Sequence, residues 1–258
     1  MNTAPPRSLA SFTDRGRLER VRLVATDVDG TLTTDGRIEP EVITAIGKLA
    51  ASGIETVPVS GRSSGEVLGL VRYLPGVKRG IAENGQTLVQ PDLPIRLLRG
   101  DASRQDLERA GREIAAALGT ALDAAPDSVF RLGDMAFERA GRSDAEMGLI
   151  RDAAEARALH CVWSSVHVHL SHDAPDKGRA LLALMPEWGV LPSDVATIGD
   201  APNDAGLFER ARFGLTVGTA DVLHTLAVLP HAPELVTAAR EGAAFLELAG
   251  CLLASRPA

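Results

Sequence analysis

The chain of 258 residues has few aromatic residues, few cysteines and no long apolar run. Aromatic residues make up only 3%, so we expect an aliphatic core and no stacked aromatic surface for single-stranded nucleic acid. The two cysteines, Cys161 and Cys251, lie far apart and support neither a disulfide framework nor a zinc ribbon. A reducing cytoplasm fits them best. The strongest apolar segment, 243–253, falls short of the ~20 residues that cross a bilayer, so we expect no membrane span.

Positive charge is also scarce, because 27 Lys and Arg face 34 Asp and Glu, a formal charge of −7. This balance is the opposite of a nucleic-acid binder, so an anionic ligand needs a local basic site. Hydrophobic (45%) and charged (24%) fractions are those of an ordinary globular protein. Residues 1–18 contain Pro and Ser and lack the apolar stretch of a signal peptide, which predicts a loosely held leader.

Apolar runs and helical periodicities alternate at both ends of the chain. Residues 22–28 and 54–59 read as buried strands, and 38–53 and 66–74 as helices. The alternation of helices and strands resumes later in the chain, with a helix at 177–188, strands at 195–199 and 213–217, and a short helix at 203–210. Such alternation predicts a parallel sheet with helices on its faces, formed by residues 19–85 and 171–258.

The intervening segment, 86–170, has a different pattern. Short strands are expected at 87–89 and 95–98, and Ser103 and Ser143 are N-caps of two helices. A hairpin is expected around Gly133-Asp134, and 161–170 alternates as a strand. This pattern predicts an α+β module inserted into the parallel-sheet domain.

Acidic residues follow two of the predicted core strands. Asp27 and Asp29 in DVDG share one face of extended chain, and Asp200 and Asp204 occur in GDAPND. Ligands bind at the carboxyl ends of strands in open α/β sheets, and carboxylates suit a hard divalent cation. Taken singly, each motif also fits a turn or a helix cap.

Groups that suit a phosphate also occur at the ends of predicted elements. Ser60 and Gly61, after the second strand, offer a hydroxyl and an unhindered N–H, and Lys177 opens a helix, where an anion is favoured. Ser-Gly is by itself more typical of a turn, and a lone Lys of a solvated surface. Arg62, beside them, fits either an anion contact or a pair with a surface acid.

Together these residues resemble the four motifs of the haloacid dehalogenase superfamily of phosphatases, over about residues 21–220. The insert resembles a C2-type cap, and IAENG at 81–85 is similar to the segment at which related sugar phosphatases enter it. The resemblance implies a Rossmann-like α/β core with an inserted α+β cap. It points to the Cof-type branch, which includes sugar phosphatases, mannosyl-3-phosphoglycerate phosphatase and archaeal phosphoglycolate phosphatase.

The resemblance also implies roles for the acidic residues. Asp27 would be the nucleophile that forms an aspartyl-phosphate, and Asp29 would protonate the leaving group and then activate water. Mg²⁺ would be held by the Asp27 carboxylate, the Asp29 backbone carbonyl and Asp200, with Asp204 nearby as a direct or water-mediated ligand. The substrate and its phosphoryl oxygens would be bound by Ser60, Gly61, Arg62, Lys177 and Asn203.

We therefore expect a Mg²⁺-dependent phosphomonoester hydrolase for a small phosphorylated metabolite, of sugar phosphate, glycosyl-phosphoglycerate or phosphoglycolate type. A phosphomannomutase-like enzyme, which returns the phosphoryl group to a sugar hydroxyl, is an alternative, although Ser60-Gly61-Arg62 resembles the phosphatase version of its motif. A non-catalytic phosphate-binding module is another alternative. The sequence leaves the oligomeric state open.

Charged residues of the insert are weaker candidates. His167 and His169 on one strand face, with His172 beyond, could bind zinc or substrate, but a solvent-facing sheet also explains them. Arg131 and Arg139 in the expected hairpin could bind a second anionic group or could simply be solvated.

Overall fold

The computed structural model describes residues 5–100, 103–163 and 166–256. Its strands are β1 (Arg7–Ser8), β2 (Leu23–Thr26), β3 (Glu55–Pro58), β4 (Gly80–Ala82), β5 (Thr87–Val89), β6 (Arg96–Leu97), β7 (Asp134–Glu138), β8 (His160–Trp163), β9 (His167–Ser171), β10 (Val195–Gly199), β11 (Leu215–Gly218) and β12 (Leu235–Val236). Its α-helices are α1 (Arg15–Arg20), α2 (Pro40–Ala51), α3 (Ser64–Tyr73), α4 (Arg104–Leu118), α5 (Asp144–Glu155), α6 (Lys177–Trp188) and α7 (Glu241–Ala254).

A parallel sheet in the order β1-β12-β11-β10-β2-β3 forms the core domain. The alternation of β2 explains the layers, because Val24 packs into one hydrophobic cluster while Leu23 and Ala25 pack into the other. Helices α2, α3 and α7 contribute to the first cluster, and α6 to the second. The predicted α/β class with a parallel sheet is confirmed.

Strands β4, β5 and β6 form a small antiparallel sheet. Ile81 and Leu88 belong to the α6-side cluster, whereas Ala82 and Val89 belong to the other. These strands therefore pack with the core domain, although β5 and β6 lie inside the segment expected as the insert. The part of the insert with a hydrophobic cluster of its own begins with α4.

The cap consists of the antiparallel sheet β7-β9-β8, covered on one face by α4 and α5. Met135 and Phe137 on β7, with Val168 and Leu170 on β9, pack against these helices. Alternation places Asp134 and the other intervening residues on the opposite sheet face. An α+β module between the two halves of the core matches the expected architecture.

Two expectations for the cap are wrong. No hairpin forms around Gly133-Asp134, because residues 126–130 make a 3-10 turn and β7 pairs with β9 instead. Residues 161–170 do not form one strand but contribute to the antiparallel pair β8 and β9, with Ser164 and Ser165 outside the described residues. The residues that face the hydrophobic cluster are odd-numbered up to Trp163 and even-numbered from Val168 onwards. Such a change is expected when a strand is interrupted.

The described part of the expected leader is built into the core domain. β1 pairs with β12, Leu9 is only 2% exposed, and the Arg17 guanidinium lies 2.6 Å from the Glu234 carboxylate. This anchoring joins residues more than 200 positions apart, which local composition does not reveal. Among the described helices, none combines the length and apolarity that a bilayer crossing requires.

Candidate active site

Asp27 follows β2 at the carboxyl end of the sheet. Its backbone N–H donates to Ile198 and extends the ladder with β10. The chain then turns tightly, because three successive N–H groups, from residues 31–33, donate to the Val28 carbonyl. Gly30 has φ +79°, and a Cβ there would lie 2.7 Å from the Asp200 carboxylate. Glycine thus allows the first acidic loop to approach the second.

Asp200 and Asp204 follow β10, the strand next to β2. Asp204 is fully buried, and its Oδ2 accepts the backbone N–H groups of Asp200 (3.0 Å) and Ala201 (3.2 Å). A Cβ on Gly199 would lie 2.5 Å from that same carboxylate oxygen. Asp204 therefore orders the loop that presents Asp200.

Lys177 links the two acidic loops from the first turn of α6. Its Nζ donates to Asp27 Oδ1 at 2.5 Å and to Asp204 Oδ1 at 2.6 Å, and its side chain is 0% exposed. Burial works to lower the pKa of Lys177, but the charges of Asp204 and Asp27 raise it above its ordinary value. The ammonium group is therefore held charged beside Asp27.

Three carboxylates converge beside this single cation. Asp27, Asp200 and Asp204 each place one oxygen within 4.8 Å of the others. Burial and the charge of Asp204 raise the pKa of Asp27 to about 7, and burial with the charges of Asp27 and Asp204 raises that of Asp200 to about 9. Burial and mutual repulsion therefore both disfavour the charged forms of Asp27 and Asp200. Carboxylate oxygens in such an arrangement suit a hard divalent cation.

Ser60 and Gly61 lie beyond β3, the other neighbour of β2. Ser60 is buried, and its Oγ accepts the Arg62 backbone N–H at 3.0 Å, which leaves the hydroxyl proton available. Within the described ranges, the Gly61 N–H makes no hydrogen bond. A Cβ on Gly61 would lie 3.0 Å from the Asn84 side chain, so this backbone is closely approached.

Asp29 lies apart from the carboxylate cluster, although the sequence groups it with Asp27. Its carboxylate forms a two-point ion pair with Arg62, Nε to Oδ2 and Nη2 to Oδ1, each at 2.7 Å. The hydrogen bond to Asp29 raises the pKa of Arg62 further above its ordinary value. Arg62 also binds Glu66 at 2.8 Å. Arg62 therefore orients the Asp29 carboxylate.

Two amide side chains meet at the edge of this crevice. Asn203, in the 3-10 turn that carries Asp204, donates to the Asn84 side chain at 3.5 Å. Thr31, in the first acidic loop, donates to Asp200 at 3.4 Å. Neither Asn84 nor Thr31 was given a role from the sequence, although Asn84 lies in the IAENG segment and Thr31 follows the DVDG motif.

The cap arginines do not offer a free anion site. Arg131 is buried, and its guanidinium bonds Asp127 at 2.6 Å, Asp134 at 2.9 Å and the Gly61 carbonyl at 3.1 Å. Arg139 binds Asp144 at 2.8 Å. Of the two alternatives left open by the sequence, an anion clamp therefore lacks support for either arginine, and solvation is wrong for Arg131, which is buried.

The cap histidines are also part of local contacts. His169 Nδ1 lies 2.9 Å from Asp134, and His167 Nε2 lies 3.8 Å from Glu138. Burial and the charge of His169 lower the pKa of His167. Within the described residues, the acidic cluster of the core is the only group of three metal-binding side chains, and it contains no histidine.

Glu83 is a buried acid that sequence reasoning missed. Its carboxylate accepts the N–H of Gly133 at 2.6 Å and that of Leu132 at 3.0 Å, and it bonds the Ser64 hydroxyl. Burial, with the charge of Asp134, raises the pKa of Glu83. The only sequence signal was the resemblance of IAENG to a cap entry, which gives no indication of burial.

Residues 24–95 and 151–228 match the family model of haloacid dehalogenase-like hydrolases. These ranges contain the acidic loops, Ser60 to Arg62 and Lys177, and they leave out most of the cap. With this sheet order and these strand-end residues, the chain belongs to the haloacid dehalogenase-like hydrolases.

Curated relatives narrow the class. The chain is 28% identical over 204 residues to a phosphoglycolate phosphatase of Methanoculleus marisnigri, covering 78% of this chain and 86% of the relative. It is 31% identical over 204 residues to phosphoglycolate phosphatase 1 of Saccharolobus solfataricus, covering 78% and 84%. The chain is accordingly a phosphatase, which sets aside the non-catalytic and mutase alternatives.

Solved structures support the fold. A Thermoplasma acidophilum protein superposes with a TM-score of 0.76 at 21% identity, over 90% of this chain and 99% of that one. The sucrose-phosphatase of Synechocystis, in complex with sucrose and phosphate, gives a TM-score of 0.66 at 18% identity, over 91% and 98%. Both matches span core and cap.

Proposed function

We propose that this phosphatase is a Mg²⁺-dependent phosphomonoester hydrolase that works through an aspartyl-phosphate on Asp27. The observation that carries the proposal is the convergence of Asp27, Asp200 and Asp204 within 4.8 Å, with Lys177 bonded to two of them. A nucleophilic carboxylate, a cation site and a fixed ammonium are what transfer of a phosphoryl dianion requires.

The donor set fits Mg²⁺. Asp27, Asp200 and the backbone carbonyl of Asp29 would hold the ion, with Asp204 nearby as a direct or water-mediated ligand. All these donors are oxygens, which Mg²⁺ prefers. Burial and mutual repulsion raise the pKa values of Asp27 and Asp200, and a bound divalent cation would favour their charged forms. When bound, the ion would reduce repulsion between the anionic nucleophile and the phosphate.

Asp27 is the proposed nucleophile. An oxygen of its carboxylate attacks phosphorus, a P–O bond to Asp27 forms, and the P–O bond to the leaving group breaks. Lys177 holds the other carboxylate oxygen, so the attacking oxygen is presented in a fixed orientation. Water then attacks phosphorus, inorganic phosphate departs, and the Asp27 carboxylate is restored.

Asp29 is the proposed acid and base. In the first step its carboxyl group gives a proton to the departing alkoxide, and in the second the resulting carboxylate takes a proton from the attacking water. The two-point bond from Arg62 fixes the orientation of this group. Asp29 lies outside the carboxylate cluster, and the ion pair with Arg62, which engages both of its carboxylate oxygens, has to rearrange for this proton transfer.

The phosphoryl oxygens are proposed to bind Ser60, Gly61 and Lys177. The Ser60 hydroxyl proton and the Gly61 N–H are both available for donation, and the Lys177 ammonium supplies charge. Donors fixed before the reaction stabilise charge that develops in the transition state. Arg62 and Asn203 are proposed to contact the substrate at the edge of the same crevice.

The proposed substrate is a small phosphorylated metabolite, of phosphoglycolate, sugar phosphate or glycosyl-phosphoglycerate type. The phosphoglycolate phosphatases among the relatives favour a phosphorylated hydroxy acid as the first compound to test. A cap that covers the crevice would exclude bulk water during the first step.

A phosphate-release screen over phosphoglycolate, phosphorylated sugars and glycosyl-phosphoglycerates, with and without Mg²⁺, tests the proposal. Asp27→Asn is the blank, and Arg151→Lys, a change at an exposed ion pair of α5, is the matched control. We expect Mg²⁺-dependent release from one or a few of these compounds by the native protein and the control alone. Equal release without Mg²⁺, or by the Asp27→Asn variant, would contradict it.

A further inference from the structure

Three successive backbone carbonyls of the phosphate loop, defined as Ser60–Arg62, are each held by a different donor. The Ser60 carbonyl accepts the Asn84 N–H at 3.0 Å, and the Arg62 carbonyl accepts the Glu83 N–H at 3.0 Å. The middle carbonyl, of Gly61, accepts Nη1 of Arg131 at 3.1 Å. Two of the three donors come from the core domain, and the third comes from the cap.

The bond from Arg131 acts on a peptide unit that adjoins two proposed binding groups, the Ser60 hydroxyl and the Gly61 N–H. The Gly61 carbonyl and the Arg62 N–H belong to the same planar peptide. Arg131 holds its carbonyl end, while its N–H end donates to Ser60 Oγ at 3.0 Å. Rotation of this peptide would release the Ser60 hydroxyl and move the adjacent Gly61 N–H.

Arg131 is itself fixed from several directions. Its side chain is 0% exposed and bonds Asp127 and Asp134, and Asp134 in turn bonds His169. The backbone N–H groups of the next three residues, 132–134, all donate to the Glu83 carboxylate. Contacts from both the cap and the core domain therefore fix the Arg131 guanidinium where it meets the phosphate loop.

We propose that Arg131 is a positioning residue, by which the cap sets the orientation of the phosphate loop. The inference rests on the proposed role of Ser60 and Gly61 in phosphoryl binding. The donors of Arg131 are directed to Asp127, Asp134 and the Gly61 carbonyl, so we assign it no direct contact with the substrate. Its effect on the reaction passes through the Gly61–Arg62 peptide and the Ser60 hydroxyl.

Lysine cannot replace this arginine. A guanidinium is a planar fork that binds two carboxylates and a carbonyl at once, whereas an ammonium is a point charge on a flexible stem. Arg131→Lys keeps the buried positive charge while it removes the fork. This variant therefore separates geometry from charge, which Arg131→Ala would not do.

The test is a double-mutant cycle of Arg131→Lys and Ser60→Ala, with p-nitrophenyl phosphate as substrate and orthovanadate as inhibitor. We expect Arg131→Lys to lower kcat/KM about 10- to 100-fold and to weaken orthovanadate inhibition by about 10-fold, because small displacements of binding groups have effects of this size. In the Ser60→Ala background, the same change should cost less than about threefold, since coupled residues are non-additive. Arg151→Lys is the control.

The outcomes separate the inference from the proposed function. If Ser60→Ala leaves kinetics and inhibition unchanged, the proposed role of Ser60 fails, and the inference with it. A second outcome is that Ser60→Ala impairs the reaction while Arg131→Lys lowers kcat/KM by the same factor in the Ser60→Ala background as in the native protein. In that case only the inference fails. A loss of kcat in proportion to the folded fraction, with unchanged orthovanadate inhibition, would likewise overturn it, because a purely structural role predicts that result.

A second variant covers the possibility that Arg131→Lys does not fold. Arg131→Gln with Asp134→Asn neutralises Arg131 and its more deeply buried partner, so that only the more exposed Asp127 carboxylate loses its arginine. We expect this double variant to show the same weakened orthovanadate inhibition. In the Ser60→Ala background, its effect on kcat/KM should again be smaller than in the native background. Native-like inhibition by this variant would overturn the inference.

Discussion

The core crevice and the cap each bury one cation between carboxylates, with opposite electrostatic results. Lys177 lies between Asp27 and Asp204, and Arg131 between Asp127 and Asp134. Both cationic side chains are 0% exposed. The two sites differ in the balance of charge around each cation.

In the cap, Arg131 favours the charged forms of its two aspartate partners, although Asp127 Oδ1 is buried without a hydrogen-bond partner among the described residues. Burial works to raise the pKa values of Asp127 and Asp134, but the charge and hydrogen bonds of Arg131 lower both. In the core, Lys177 faces a third carboxylate, and the pKa values of Asp27 and Asp200 rise to about 7 and about 9. Aspartates whose pKa values a cation lowers serve to hold the structure, whereas a cluster of aspartates whose pKa values are raised marks a candidate ligand site.

The largest expected effect is at the carboxylate cluster of the core. Asp27→Asn should lower Mg²⁺-dependent phosphate release from p-nitrophenyl phosphate by about 10⁴-fold or more, because the nucleophile is lost. The variant should remain folded by circular dichroism, since the substitution removes one charge from a site with excess negative charge. Residual turnover near the native rate would show that another group attacks phosphorus.

Stability measurements without divalent cations test the comparison itself. Asp134→Asn should lower the free energy of unfolding by about 3–5 kcal/mol, because it breaks a buried pair and leaves Arg131 partly uncompensated. Asp200→Asn, the matched change in the core, should leave stability unchanged or raise it, because it relieves repulsion. Chemical denaturation in EDTA measures both, and equal losses would remove the proposed difference between the sites.

Mg²⁺ should stabilise the core crevice and not the cap. At about 100 times its Kd, the ion should add about 2.7 kcal/mol to the free energy of unfolding of the native protein. Asp200→Asn should lose most of this gain, whereas Asp134→Asn should keep it. Thermal unfolding against Mg²⁺ concentration checks this expectation, and an equal gain in both variants would place the ion elsewhere.

Acid should weaken the contribution of Asp134 to the free energy of unfolding. The pKa of Asp134 is lowered in the folded protein, so its stabilisation is present above the unfolded value, about 3.8, and is lost as pH falls through the lower folded value. The stability difference between native protein and Asp134→Asn should therefore narrow below about pH 4. Denaturation curves from pH 6 to 3 measure it, and a constant difference would exclude this ionisation as the cause.

Much of the core was predictable because its signals are local. Pro40 at the helix start with Val42, Ile46 and Leu49 at helical spacing predicted α2, and the apolar run before Gly199 predicted β10. The strand-end acids converge because neighbouring parallel strands end at one edge of the sheet. These features need no knowledge of distant contacts.

The cap and the N-terminal segment depend on distant partners. Residues 132–134 looked like a hairpin turn, but their N–H groups bind Glu83, about 50 positions earlier. Arg131 looked like a solvated arginine because its partners Asp127 and Asp134 are common surface residues. Similarly, the pairing of β1 with β12 follows from tertiary contacts that composition does not encode.

Capture of the phosphorylated protein tests the central claim most directly. Asp29→Asn should accept the phosphoryl group from p-nitrophenyl phosphate, whose leaving group needs no acid, and should release it slowly because no base activates water. Acid-quenched mass spectrometry is predicted to find the mass of one added phosphoryl group, located on the peptide with Asp27 and absent when Asp27→Asn is combined with Asp29→Asn. A phosphoryl group on any other residue would contradict the account.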